Sequence, residues 1–127
     1  MVKRTKSERR QHPRLEQKLP VNVAADGYGF ATVTKNISCL GAYCHIDKYM
    51  PPFTRVAVKL ALPLAVKTGE RDSNVECKGV VVRTEDDING GFNIAIFFNE
   101  IKDTQRNKIS RYISQFLPEE SPSSSLL

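Results

Sequence analysis

Two arginines near the N-terminus carry the most specific chemistry in the sequence. Arg10 and Arg14 are separated by three residues, and Pro13 disfavours helical geometry at His12. The arginines are therefore predicted to lie on an extended or turned segment, in which four residues span about 13 Å. A guanidinium group pairs bidentately with phosphate oxygens or with the O6 and N7 atoms of guanine. Such a pair is suited to hold two parts of one nucleotide-sized anion.

A second polar group follows at Asn36–Gly41, between the second and third predicted strands. Asn36 and Ser38 share one side of an extended chain, where an amide and a hydroxyl can meet a base edge or a phosphate. Gly41 permits a tight turn and a close backbone approach. These are also ordinary turn residues, so alone they equally describe a structural corner. Two arginine contacts fall short of the about 8 kcal/mol that micromolar binding needs, so the body of the domain must contribute a platform.

The charge distribution places any anionic partner at the N-terminus. Residues 1–18 contain seven Lys or Arg and two Glu, a balance of 7 − 2 = +5, and the whole chain also carries +5. The remainder is therefore neutral, so a basic arm rather than the general surface would meet an anion. A basic end of this kind can also be a solubilising tail. Because no apolar period precedes Leu15 and Leu19, the arm is predicted to be mobile without a ligand.

Alternating apolar residues predict the strands that must position these groups. Short loops join the strands and no helix interrupts them, which indicates an all-β fold, an antiparallel sheet that closes into a six-stranded barrel. Gly79, inside the fifth run, indicates a bulge or a bend. The stretch 85–91 is predicted to be a hairpin loop. The predicted strands are 21–25, 28–35, 42–46, 55–62, 75–83 and 92–98.

One α-helix is predicted after the last strand. Asp103 or Thr104 can cap its start, and Pro118 ends it. Its apolar residues repeat at helical spacing and could cover a mouth of the barrel. These residues are Ile109, Ile113, Phe116 and Leu117.

The chain is predicted to divide into three segments. They are a flexible basic arm over residues 1–18, a barrel with its C-terminal helix over 19–117, and a disordered tail over 118–127. Neither a signal peptide nor an apolar run of membrane-spanning length is found, so we expect a cytoplasmic protein without a membrane partner.

Catalytic and metal-binding functions find little support. His12 and His45 are the available bases at neutral pH, and no Ser or Cys shows a partner for nucleophilic catalysis, so no enzyme is predicted. The spacing of Cys39, Cys44 and His45 fits no familiar zinc site, and residues 86–90 lack the ligand spacing of a calcium loop. An odd number of cysteines, three, predicts reduced thiols.

Both polar groups, in this order and each at a strand boundary, resemble the PilZ domain family. The motif of that family is Arg-x-x-x-Arg followed by Asp or Asn-x-Ser-x-x-Gly. Arg10–Arg14 matches the first part and Asn36–Gly41 the second, at every fixed position. The resemblance extends over roughly Glu8–Leu117 and includes the late strand that Gly91 and Phe92 begin, with the trailing helix.

This resemblance implies a barrel that binds the bacterial second messenger cyclic di-GMP, with no further cofactor, and passes the signal to a downstream protein partner. It implies that Arg10 and Arg14 contact guanine edges and phosphates. It further implies that Asn36 and Ser38 hold the other guanine and nearby polar atoms, while Gly41 keeps the floor of the site clear.

Three questions stay open at this level. Arg9, outside the strict motif, is either a third contact compatible with a stacked pair of ligand molecules or a residue that faces solvent. The main rival function is binding of single-stranded nucleic acid, which would need exposed aromatic platforms; the candidates are Phe97, Tyr28 and Tyr43. A PilZ-like interaction module that has lost its ligand is a third possibility, against which the intact motif argues.

Overall fold

Six antiparallel strands close into a barrel in the order β1-β2-β3-β6-β5-β4. The structure is a computed structural model that describes residues 13–63 and 74–116. This architecture confirms the predicted fold class. The elements are β1 (Pro20–Ala25), β2 (Tyr28–Ile37), β3 (Gly41–Ile46), β4 (Arg55–Ala61), β5 (Asn74–Asp86), β6 (Phe92–Glu100) and the helix α1 (Asp103–Ser114).

The interior of the barrel follows from the period of two in the strands. Val21 and Val23 on β1 are buried while Asn22 and Ala24 between them are exposed, as strict alternation requires. Inward residues of all six strands belong to one apolar cluster. Its members that are at most 1% exposed include Val23, Ile37, Cys44, Leu60, Val75, Val81 and Ile94.

Strand pairing divides the barrel into two halves. In the regular half, which comprises β1, β4, residues 28–33 of β2 and residues 74–77 of β5, each pairing keeps one register. In the bulged half, which comprises β3, β6, residues 34–37 of β2 and residues 78–86 of β5, the register shifts. The shifts fall between Thr34 and Asn36, between Lys78 and Val80, and between Val81 and Arg83. The pairing is irregular at Gly79, as predicted, but the extra residue there lies on β6, since Phe98 and Asn99 both lie between the partners of Lys78 and Val80. The other two shifts carry no glycine.

The loop between β5 and β6 begins later than predicted, because β5 continues to Asp86. Gly90 and Gly91 have φ of 105° and 75°, the left-handed region that glycine tolerates. The amide of Gly90 donates to the carbonyl of Asp87 at 2.9 Å, and the amide of Asp87 donates to the carbonyl of Gly91 at 3.0 Å. The stretch predicted to turn the chain therefore forms a tight hairpin.

The helix α1 packs its buried residues Ile109, Tyr112 and Ile113 into the same cluster as the strands. Two predictions about it were wrong. The N-cap is Lys102, with no side-chain capping bond, so Asp103 lies in the first turn and neither it nor Thr104 caps the helix. Phe116 follows the end of the helix and is 46% exposed, so it lies outside the buried stripe.

The ends of the chain lie partly outside the described residues. These include Leu117, which was assigned to the apolar stripe, Pro118, which was predicted to end the helix, and the tail 118–127. Within the described ranges, no helix has the length and apolar character that crossing a membrane requires.

Candidate ligand-binding site

The segment that leads into β1 is fixed to β2 by hydrogen bonds. Leu15 and Ile37 form an antiparallel bridge, with N–H···O distances of 2.8 and 3.0 Å. Farther along, the buried Thr34 accepts a hydrogen bond at its Oγ1 from the amide of Leu19 at 3.0 Å and donates to the carbonyl of Gln17 at 2.6 Å. These contacts hold the backbone next to Arg14 against the barrel.

Arg14 is exposed and lies beside the second half of the motif. Arg14 precedes Leu15, and the bridge partner of Leu15, Ile37, lies between Asn36 and Ser38, so the backbone of Arg14 lies next to the second half of the motif. The structure therefore brings one motif arginine to the Asn36–Gly41 segment. Arg9 and Arg10 lie outside the described residues.

Asn36 reaches the outer surface because β2 bulges. Thr34 and Ile37 are both fully buried, which strict alternation forbids for residues three apart. The register shift between Thr34 and Asn36 resolves this by placing Lys35 and Asn36 together on the outside, and bulges commonly re-aim side chains in this way. Asn36 is half-buried there, paired with Tyr43 of β3.

Ser38 and Gly41 shape the turn between β2 and β3. The Oγ of Ser38, a residue 7% exposed, accepts from the amide of Leu40 at 3.1 Å, and the Ser38 amide donates to the carbonyl of Gly41 at 2.9 Å. Accepting this bond uses a lone pair of the hydroxyl, which also carries a proton that it can donate. A Cβ on Gly41 would lie 2.1 Å from the carbonyl oxygen of Ile96 on β6. The close approach predicted for this glycine is therefore an approach of β6.

The bulged half carries one continuous outward row across four strands. Asn36 pairs with Tyr43, Tyr43 pairs with Ala95, and Ala95 pairs with Arg83. Sequence reasoning singled out Asn36 and noted Tyr43 only as a scattered aromatic residue. It missed Arg83, because the bulge at Val82 that turns Arg83 outward leaves no mark in the local sequence.

Charges of both signs surround the ring of Tyr43. Its hydroxyl donates to Glu85 Oε1 at 2.9 Å, and Glu85 Oε2 also pairs with Arg83 Nε at 3.0 Å. Lys35 Nζ and Arg83 Cζ lie 5.9 and 5.7 Å from the ring centroid, within the range of cation–π attraction. Partial burial, followed by the bond to Glu85, raises the pKa of Tyr43.

The β5–β6 loop adds a second ionic group beside this row. The carboxylate of Asp87 lies 3.6 Å from Lys35 Nζ and 3.9 Å from His45 Nε2. It accepts from the amide of Asn89 at 2.9 Å and from the side chain of Asn93 at 3.1 Å. The bonds from Asn89 and Asn93, with the nearby cationic groups, lower the pKa of Asp87.

The cysteines and histidine that could suggest a metal site have other environments. Cys44 is fully buried in the core, and burial raises the pKa of its thiol to about 12. His45 Nε2 lies 2.8 Å from the carbonyl of Gly90. In the described part of the chain, no three His, Cys, Asp or Glu side chains form a metal-binding group.

The closed six-stranded barrel with its C-terminal helix defines the class of small antiparallel β-barrels, and sequence comparison gives the family. A model of the PilZ domain matches residues 8–115, which is most of the chain. The chain therefore belongs to the PilZ domain family. No match is found among curated protein sequences.

Three solved structures share this fold. The Bacillus subtilis inhibitor of motility (MotI/DgrA) superimposes with a TM-score of 0.72 at 18% identity, over 83% of this chain and 49% of that one. The PilZ domain of CeSA from a cellulose-synthesizing bacterium gives 0.57 at 19% identity, over 81% and 97%. The PilZ domain of Escherichia coli YcgR, solved with c-di-GMP, gives 0.58 at 12% identity, over 94% and 99%. The chain thus spans about half of the Bacillus protein and nearly all of the other two domains.

Proposed function

We propose that this chain is a receptor domain for cyclic di-GMP that acts as an adaptor rather than as an enzyme. The observation that supports the proposal is the Leu15–Ile37 bridge, which brings the backbone of Arg14 next to the segment that contains Asn36 and Ser38. Membership of the PilZ family supports it, as does the likeness to a PilZ domain solved with c-di-GMP.

Each residue of the motif has a role suited to its chemistry. The guanidinium groups of Arg10 and Arg14 hold guanine edges and phosphates, and Arg9 provides a third cation for a second ligand molecule. Asn36 offers an amide at the surface, and Ser38 offers its hydroxyl proton. Ligand phosphates need no metal here, because the arm supplies the positive charge.

The output of the domain is a change of surface. In this mechanism the basic arm folds over a doubly anionic ligand, and the ordered arm presents a new face to a downstream protein partner. Hydrogen exchange tests it directly. We expect the part of residues 5–18 that precedes the Leu15–Ile37 bridge to gain protection when cyclic di-GMP binds, and equal protection there with and without the ligand would contradict the mechanism.

Calorimetric titration of cyclic di-GMP tests the binding site. Arg10→Ala and Arg14→Ala should each weaken binding by about tenfold or more, because a bidentate contact to guanine contributes about 1 to 3 kcal/mol. Arg55→Ala is the matched control, since Arg55 is an exposed arginine on β4 in the regular half. Affinity unchanged by both motif substitutions would overturn the site.

One observation keeps nucleic-acid binding as the second candidate. Phe97 is 45% exposed and lies opposite Gly41, one row from Tyr43, so two aromatic residues share the outer face of the bulged half. A fluorescence titration with single-stranded oligonucleotides separates the functions. Tight, salt-dependent binding of oligonucleotides without binding of cyclic di-GMP would favour this second candidate.

A further inference from the structure

Two independent bulges direct side chains onto the same outward row. The bulge in β2 turns Asn36 outward, and the bulge in β5 turns Arg83 outward although Val81, two residues earlier, is fully buried. Strict alternation would place Arg83 on the inner face with Val81. The motif explains the outward Asn36, whereas nothing in the motif explains the outward Arg83.

Arg83 and Tyr43 lean toward each other across a small residue. They occupy β5 and β3, and Ala95 of β6 is paired with both of them. The guanidinium carbon of Arg83 lies 5.7 Å from the centroid of the Tyr43 ring. A methyl group is therefore the floor between a planar cation and an aromatic ring, both of which stack on nucleobases.

The carboxylate of Glu85 contacts the hydroxyl of Tyr43 and the Nε atom of Arg83. One carboxylate oxygen accepts from the Tyr43 hydroxyl at 2.9 Å, and the other lies 3.0 Å from Arg83 Nε. The side chains of Arg83 and Glu85 are 57% and 48% exposed, so water screens the pair and a ligand can reach it. Glu85 thus acts as an internal anion at a cationic group.

We infer that Arg83 and Tyr43 form a purine subsite of the ligand-binding site, and that Glu85 competes with the ligand for Arg83. This inference rests on the proposed function and extends it from the motif edge to the far side of the outward row. A guanine base of cyclic di-GMP stacks on Arg83 and Tyr43 above Ala95, and Arg83 exchanges the carboxylate of Glu85 for the ligand. The row then has one end at Asn36, within the motif, and the other at Arg83, outside it.

The test uses two substitutions that should change the affinity for cyclic di-GMP in opposite directions. In calorimetric titrations with cyclic di-GMP, Arg83→Ala should weaken binding by about tenfold, since stacking and guanidinium contacts are lost. Glu85→Gln should tighten binding by about two- to fivefold, since the competing charge is removed and an exposed ion pair is weak. Controls are Lys59→Ala and Glu76→Gln, from an exposed pair 3.8 Å apart in the regular half, and both should leave affinity within about twofold.

The outcomes separate the two proposals. Arg14→Ala weakening binding while Arg83→Ala and Glu85→Gln behave like their controls would overturn the subsite and leave the proposed function standing. Absence of binding to the unmodified chain would overturn both. Circular dichroism and thermal unfolding of each variant distinguish loss of binding from loss of fold. If Arg83→Ala unfolds, the gain of affinity in Glu85→Gln decides, and unchanged affinity there overturns the subsite.

Discussion

The regular and bulged halves of the barrel differ in the side chains that their outer faces carry and in the register of their strands. In the regular half, the exposed Lys59 and Glu76 pair at 3.8 Å across two strands that keep their register. In the bulged half, three register shifts accompany the motif turn, and polar or charged side chains share the row from Asn36 to Arg83. Gly41 of β3 and Ala95 of β6 are small, so no large side chain projects from the outer surface at these two positions.

Under the proposed function, this difference separates the half that keeps a regular ladder from the half that binds the ligand. An unbroken ladder fixes which residues face outward, so each strand can present only alternate positions. A bulge breaks that rule locally and adds an outward residue without changing the inward set, and Lys35 and Val82 are the extra residues here. The bulged half therefore presents more outward side chains per strand. Substitutions there should change stability or ligand affinity more than matched substitutions in the regular half.

The largest effect is expected from a methyl group at Gly41. In Gly41→Ala the new Cβ would meet the carbonyl oxygen of Ile96, a backbone atom that cannot rotate away, so β3 and β6 must separate. We expect a loss of about 3 kcal/mol or more in the free energy of unfolding, measured with urea.

Gly29→Ala is the control in the regular half. A Cβ there lies 3.4 Å from the carbonyl oxygen of Val23, an ordinary contact, so the change should stay within about 1 kcal/mol. Equal destabilisation by the two substitutions would remove the distinction between the halves at β3.

An intermediate effect is expected from Thr34→Val, where the bulged half meets the lead-in segment. Loss of the hydroxyl leaves the amide of Leu19 and the carbonyl of Gln17 without their partner, which should cost about 1 to 3 kcal/mol in urea unfolding. Affinity for cyclic di-GMP should fall too, since this bond helps to position the backbone near Arg14. In Thr54→Val, an exposed turn bond to Pro51 is lost, and both measurements should change less.

The smallest effect is expected from Asp87→Asn and depends on pH. Because the pKa of Asp87 is lowered in the folded state, its contribution to stability is present above the ordinary aspartate value of about 3.9 and is lost as the pH falls through the lower folded value. Urea unfolding at pH 7 should show the variant to be less stable, with the difference shrinking below about pH 4. Asp26→Asn, in the turn of the regular half, is the control. A difference that stays constant from pH 7 to pH 3 would contradict this assignment.

The sequence predicted the parts of the fold that depend on local pattern. Alternation from Val21 to Ala25 and from Arg55 onward reflects one buried face, so the six strands and the barrel could be predicted from the sequence. The start of α1 was missed because Asp103 and Thr104 are good capping residues, yet the backbone turns extended at Lys102. The predicted apolar stripe also left out Tyr112, whose ring is buried in the structure although its hydroxyl is polar.

The candidate site likewise contains residues that the sequence could predict and residues that it could not. Motif residues such as Asn36 and Gly41 lie close together in the sequence, so a pattern could reveal them. The bulges at Lys35 and Val82 depend on which strands pair and with what offset, and neither position carries the glycine that marks Gly79. The row that joins Tyr43 to Arg83 through Ala95 depends on pairing between strands distant in the chain, so it required the three-dimensional structure.

The contact between the motif turn and β6 also determines the stage of chain synthesis at which the candidate site can form. The carbonyl of Leu40 accepts from the amide of Phe98 at 2.8 Å, and Gly41 pairs with Phe97, so the turn is completed by β6, which is synthesised after the other five strands of the barrel. A nascent chain that has made the motif but not β6 lacks the proposed binding surface. Ligand that binds only finished barrels shifts the population toward them by mass action, so the occupied fraction would report on maturation of newly made protein as well as on messenger concentration.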